Sequence, residues 1–181
     1  YAIVTIEKIS VAPRAVRSAM VGKKRQSLKF RMRKNGRRTR RKRNMKLSRD
    51  GIREKTEWND AGIALPGYDV DAAAKKAKEA PRWAHFGIGN IFRIFIGGIA
   101  DGMLESKDLD TALTCVETFD YDVVDKIYRP YDNLGLSVIL RETGKRDYKV
   151  LGCFGEAVRA QADDPQQWDR LKEIFASPSL Q

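Results

Sequence analysis

Trp83-Ala84-His85-Phe86-Gly87-Ile88-Gly89-Asn90-Ile91-Phe92-Arg93 is the stretch that decides how this 181-residue chain is read. Trp83–Phe86 is short and apolar and reads as a strand. Gly87 and Gly89 read as a tight turn, Asn90 as a helix cap, and the residues after it as a helix running to about Leu104. Ile91, Phe92, Phe95, Ile99 and Met103 recur at the spacing of a helical face laid on a sheet. In a strand–turn–helix of this kind, main-chain N–H groups and a helix N-terminus converge on one point. That geometry suits the pyrophosphate of a dinucleotide. Gly87 permits the turn and Gly89 lets the backbone come close to phosphate. Phe92 stands where the common fingerprint has its third glycine, so a plain tight turn is the competing reading.

Working outward, Asp71 is expected to cap a helix over Ala72–Ala80, with Asp69 as the rival cap and Pro81 as the stop. Ala112–Phe119 reads as the second strand, with Glu117 near its carboxyl end, 28 residues after Gly89. An acid at that end holds the adenosine ribose hydroxyls in dinucleotide folds, and Asp120 is the alternative. A carboxylate there repels a 2′-phosphate, which favours NAD over NADP. Asp122–Tyr128 reads as a short helix. Leu136–Leu140 and Tyr148–Cys153 flank Glu142-Thr143-Gly144-Lys145 as a β-hairpin, and Phe154–Val158 is expected to extend its second strand. Asp164-Pro165 opens a last helix whose apolar face is Trp168, Leu171, Ile174 and Phe175. This order predicts an α/β fold: an incomplete Rossmann-type dinucleotide-binding domain with an inserted β-hairpin over residues 81–181, an N-terminal extension over 45–80, and a disordered basic leader over 1–44.

The net charge of +11 belongs to that leader. Residues 1–44 hold 16 of the 35 Lys and Arg and one acid, Glu7, which leaves 19 bases and 23 acids over 45–181, a net of −4. Three readings of the run from Lys29 to Asn44 compete. It can be a nucleic-acid arm, because clustered cations displace counterions from phosphate, although only Phe30 offers a stacking ring. It can be a self-repelling tail. It can also be purine-rich upstream sequence read in frame, with the natural start at Met45, and this third reading is the one favoured. Cys115 and Cys153 lack metal-ligand or redox-pair spacing and read as buried reduced thiols of a cytoplasmic protein. The apolar run from Phe86 to Leu104 carries Arg93 and Asp101 and reads as a buried helix, not a membrane span.

The residues expected at a cofactor are therefore Phe86, Gly87, Ile88, Gly89, Asn90, Ile91, Phe92, Arg93 and Glu117. Arg93, in the first helical turn, is expected to face the pyrophosphate or a substrate carboxylate, against the alternative of a structural pair with a neighbouring acid. His85, the only histidine, is expected to be a hydrogen-bonded core residue rather than a base. No metal-ligand cluster, carboxylate pair or pocketed lysine stands out, so no catalytic residue is assigned.

At these residues the chain resembles the N-terminal region of the mannitol dehydrogenase family, the polyol-specific long-chain dehydrogenases and hexuronate reductases. The family pattern is approximately His-Phe-Gly-x-Gly-x-Phe-His-Arg-Ala-His. His85, Phe86, Gly87, Gly89 and Arg93 match it, while Ile91, Phe92 and Ile94-Phe95 depart from it. The resemblance runs from Leu65-Pro66-Gly67-Tyr68-Asp69 to Ser177-Pro178-Ser179. It implies an NAD-dependent oxidoreductase interconverting a sugar alcohol or sugar acid and its keto form. It also implies that the lysine, asparagine and histidine of the chemistry lie in a C-terminal helical domain beyond these residues, so that this polypeptide alone is inactive. The alternatives are a non-catalytic dinucleotide-binding module and a nucleic-acid-binding protein acting through the leader; a membrane partner is not expected.

Overall fold

A computed structural model describes residues 45–181. The basic run and the readings attached to it lie outside the described residues. Two three-stranded sheets organise the rest. One contains β2 (Ala84–Phe86), β3 (Leu113–Glu117) and β6 (Phe154–Arg159), all parallel, with β3 in the middle. Every residue of β3 is buried, as a parallel strand covered on both faces requires. The other contains β1 (Ile63–Ala64), β5 (Arg146–Leu151) and β4 (Gly135–Leu140). The hairpin is present: β4 and β5 pair antiparallel in the register Gly135↔Leu151 to Leu140↔Arg146. Gly144, at φ +78°, turns the chain, and its N–H donates to the Arg141 carbonyl at 2.9 Å.

Phe154–Val158 does not extend the hairpin. Gly152-Cys153 breaks the strand, and β6 leaves for the other sheet, where Glu156, Ala157 and Val158 pair with Thr114, Cys115 and Val116. A Cβ on Gly152 would meet Val70 Cγ2 at 2.6 Å, so this crossing point is too tight for any other residue. Residues 63–64, which carry no strand pattern, are recruited as β1 by the exposed edge of β5.

Helix α1 covers Lys55–Asp60, and α2 covers Val70–Glu79. The α2 cap is Asp69, not Asp71: the Asp69 carboxylate accepts from the Ala72 N–H at 2.9 Å. Asp71 instead faces out to Arg49 and Arg53, whose guanidinium groups hold its carboxyl below the usual range. Helix α2 packs on β6 and β3, and its Ala73 and Ala77 join the main core. Helix α4, Pro165–Ala176, begins as expected, with the Asp164 carboxylate accepting from the Gln167 N–H at 3.2 Å and Pro165 in the first turn. Leu171 and Ile174 bury its apolar face. Arg170 on α4 grips buried Glu156 on β6 through two hydrogen bonds of 3.1 and 2.8 Å.

The helix after the glycine turn starts at Asn90 and ends at Ser106; a π turn, Phe92–Ile96, precedes its regular part α3, Gly97–Ser106. Its buried face is Phe92, Arg93, Gly97, Ala100, Asp101 and Leu104. This corrects the expected face: Ile91, Phe95 and Ile99 are 78%, 59% and 48% exposed. The helix is apolar on nearly every side, so periodicity does not single out one stripe, and the π turn shifts the phase of all later residues. Glycine is needed at 97, where a Cβ would sit 2.5 Å from the Phe154 ring, but not at 98 or 102, which face open space.

One buried carboxylate ties α3 to β5 and to the loop before α2. Asp101, fully buried on α3, accepts from Tyr68 Oη at 2.6 Å and from the Gly152 N–H at 3.0 Å, and Lys149 Nζ lies 2.7 Å from its other oxygen. Burial beside this carboxylate pushes the Tyr68 phenol far up, so it remains a donor. Among the described residues no helix is long and apolar enough to cross a membrane. Cys115 and Cys153 are buried and unbridged, as expected.

Candidate functional site

The site is built where β2 runs out. Phe86 is the last residue of the strand, and its ring, 45% exposed, leans on Phe175 of α4 with centroids 5.9 Å apart. Gly87 adopts φ +82°, a conformation that side-chain-bearing residues avoid, and its N–H donates to the Val116 carbonyl at 3.0 Å. The turn is therefore fastened to β3 as it leaves the sheet. Ile88 comes next, completely buried. Gly89 has an ordinary backbone, and a Cβ placed there would meet nothing within 4 Å. Its carbonyl accepts from the Arg93 N–H at 3.0 Å and so opens the helix. Gly89 is the residue before the first helical turn; Asn90 lies inside it, and its side-chain oxygen accepts from Arg93 Nη2.

The polar groups around Ile88 are already committed. Its N–H donates to Glu117 Oε2 at 3.3 Å. Its carbonyl accepts from Arg93 Nη1 at 3.2 Å and from Tyr128 Oη at 3.0 Å. The other Glu117 oxygen accepts from the Thr118 and Phe119 N–H groups at 2.9 and 3.1 Å. The convergence of main-chain N–H groups expected around this turn is narrowed accordingly. The Gly87 and Ile88 amides point into the protein, and the outward-facing groups begin at Gly89, with the open end of the helix behind it.

Arg93 is the larger departure from expectation. It is 8% exposed, turns back under the turn, and its guanidinium carbon lies 5.8 Å from the Tyr128 ring centroid. Among the described residues it forms no ion pair, so the structural pairing with an acid is not realised either. It borders a small cavity with Tyr128, Ile94, Leu136, Leu151 and Phe154 behind the turn. Phe92 and Ile88 bury their side chains, so only their main chain can meet a ligand, whereas Ile91 projects into solvent. His85 is half-buried and stacks on Phe92 with centroids 4.3 Å apart and planes at 20°. Contrary to the hydrogen-bonded histidine expected, its imidazole makes no hydrogen bond among the described residues, and burial lowers its pKa. Glu117, 6% exposed, is the acid brought to the turn; Asp120 is exposed on the loop beyond.

Tyr128 was not anticipated. It ends a second π turn, Val124–Tyr128, and is 2% exposed. Nothing in sequence separates it from any other tyrosine in a short helix. What selects it is the fold, which lays that turn against Ile88.

Comparison with known proteins places this geometry. No family model matches the sequence. The chain is 40% identical over 137 residues to a D-mannonate oxidoreductase of Thermotoga maritima, a match covering 76% of this chain and 25% of that protein. Its fold is similar to D-sorbitol dehydrogenase in substrate-free form, with TM-score 0.54 and 24% identity, covering 66% of this chain and 23% of that one. It is also similar to Pseudomonas fluorescens mannitol 2-dehydrogenase, solved as a ternary complex with NAD and D-mannitol, with TM-score 0.54 and 21% identity over 70% of this chain and 25% of that one. The chain thus spans about a quarter of the length of these relatives. The strand–glycine-turn–helix, the parallel sheet it leaves and the match to the mannonate enzyme together place this chain with the N-terminal region of the mannitol dehydrogenase family.

Proposed function

We propose that the turn at Gly89 and the helix it opens hold the diphosphate of NAD. In this reading the chain is the NAD-binding N-terminal part of an oxidoreductase that interconverts a sugar alcohol or sugar acid and its keto form, of the mannitol/fructose or mannonate/fructuronate type. The observation that carries the proposal is the open space over Gly89 at the N-terminus of a helix that succeeds a parallel strand. A Cβ would fill that space, and a phosphate oxygen fits it. The match to the mannonate enzyme supports the substrate class.

Glu117 stands at the carboxyl end of the next strand, where the ribose hydroxyls of the cofactor would lie. Its charge favours NAD over a 2′-phosphorylated cofactor. Phe86, Gly87, Asn90, Ile91, Phe92 and Arg93 complete the surroundings, the buried ones among them through main chain or support. NAD supplies hydride acceptance when bound; these residues supply its binding and orientation. Proton transfer is assigned to the part of the relatives that this chain does not span. Two unbridged cysteines fit a reducing compartment such as the cytoplasm.

Titration calorimetry of the chain with NADH, NADPH and ADP tests the reading. NADH and ADP are expected to bind, and NADPH about tenfold or more weakly. Absence of heat with both NADH and ADP refutes it.

A further inference from the structure

We infer that Arg93 and Tyr128, with Glu117, are positioning residues that aim the Gly89 amide at a diphosphate by fixing both polar atoms of Ile88. The inference rests on the proposed placement of the diphosphate at this turn. A trans peptide is planar, and the carbonyl of one residue points opposite to the N–H of the next. The Ile88 carbonyl and the Gly89 N–H share such a plane. Arg93 Nη1 and Tyr128 Oη pull that carbonyl inward, at 3.2 and 3.0 Å, so the Gly89 N–H is turned outward. Gly89 is itself exposed, and a Cβ built on it would meet nothing within 4 Å, so the way to this amide is open. Glu117 fixes the preceding plane through the Ile88 N–H.

The three side chains come from separate elements: the end of β3, the π turn that precedes α3 and the end of the second π turn. Their convergence on one fully buried residue leaves that peptide little freedom. Burial pushes the Tyr128 phenol well above its ordinary range, so it donates throughout the accessible pH range.

Arg93 adds an electrostatic element. A buried cation without an acid partner is costly to keep. Its Nε is buried with no hydrogen-bond partner among the described residues, and its charge is spent on a carbonyl, an amide oxygen and the Tyr128 ring. Polarising the Ile88 carbonyl also makes the opposite N–H of the same peptide a better donor. The guanidinium therefore acts on an anion through the peptide, without touching it.

The test uses the full chain with NADH and, as the minimal probe, inorganic pyrophosphate. Tyr128→Phe keeps the ring and removes one donor. Arg93→Met removes the cation, and Arg93→Lys restores a charge and one donor. Tyr128→Phe is expected to weaken both ligands by about three- to tenfold. Arg93→Met is expected to weaken them further, Arg93→Lys to recover part of the loss, and the Gly89 amide resonance to move in each variant. Unchanged affinity in Tyr128→Phe overturns the inference, and so does a loss confined to NADH with pyrophosphate unaffected. If Arg93→Met does not fold, Tyr128→Phe alone decides. An unaltered chain that binds neither ligand overturns the reading of the turn and this inference with it; an unaltered chain that binds, with variants that bind equally well, overturns this inference alone.

Discussion

Replacing the two glycines of the turn should separate folding from binding. Gly89 has no positive φ, and a methyl added there touches nothing within 4 Å. Gly89→Ala therefore adds no strain. The reduced freedom of the unfolded chain favours the variant by about 0.4–1 kcal/mol. The poorer cap that alanine makes before a helix offsets this by a similar few tenths. The net change in stability is expected to stay within about 0.5 kcal/mol. The same methyl would stand where a phosphate oxygen approaches the amide to about 2.9 Å. Losing one hydrogen bond to a charged group costs about 1.5–3 kcal/mol, roughly 10- to 150-fold in NADH affinity. Gly87 behaves in the opposite way. Its φ of +82° makes Gly87→Ala strained although space is free around it, at about 1–2 kcal/mol of stability. Urea unfolding and NADH calorimetry on both variants decide the matter. A Gly89→Ala chain that binds NADH as tightly as the unaltered chain refutes the placement of the diphosphate. Equal stability of the two variants refutes the conformational argument.

Two further outcomes concern the scaffold. Arg170→Met leaves the Glu156 carboxylate, 9% exposed, without its cation, and is expected to lower unfolding free energy by about 3 kcal/mol. Adding Glu156→Gln should return part of that loss, and urea unfolding of the single and double variants measures it. His85, the only histidine, has a lowered pKa because burial disfavours its charged form. The unfolded chain takes up that proton first, near pH 6.5, so stability is full above this value and declines as pH falls through the lower pKa of the folded state. His85→Phe is expected to flatten thermal midpoints between about pH 7.5 and 5.5; matching profiles in the two proteins would refute this.

The parts of the fold legible in sequence are those set by local chemistry. The glycine turn, the Asp164-Pro165 helix start and the Glu142–Lys145 hairpin turn each need particular backbone angles or a cap, and particular residues supply them. The place of Glu117 at the carboxyl end of β3 was legible because the stretch before it, Leu113–Val116, reads as the strand. The illegible parts are settled by distant partners. The departure of β6 from the hairpin depends on Val70 crowding Gly152 and on β3 offering an unpaired edge. The choice of Asp69 over Asp71 turns on Arg49 and Arg53 holding the latter at the surface. Arg93 reads as a ligand contact because it lies in the first helical turn. Its inward path depends on Tyr128, whose approach to Ile88 no sequence pattern announces.

The Asp101 junction bears on how the molecule comes apart. Peeling away the strand that carries Lys149 would strand a carboxylate in apolar surroundings, deprived of both its cation and the Gly152 amide. Detaching the Tyr68 segment would take the phenol donor from the same carboxylate. Partial opening at either contact is thus penalised, and α3, β5 and the Tyr68 segment should surrender their slowest-exchanging amides together, as a single cooperative unit.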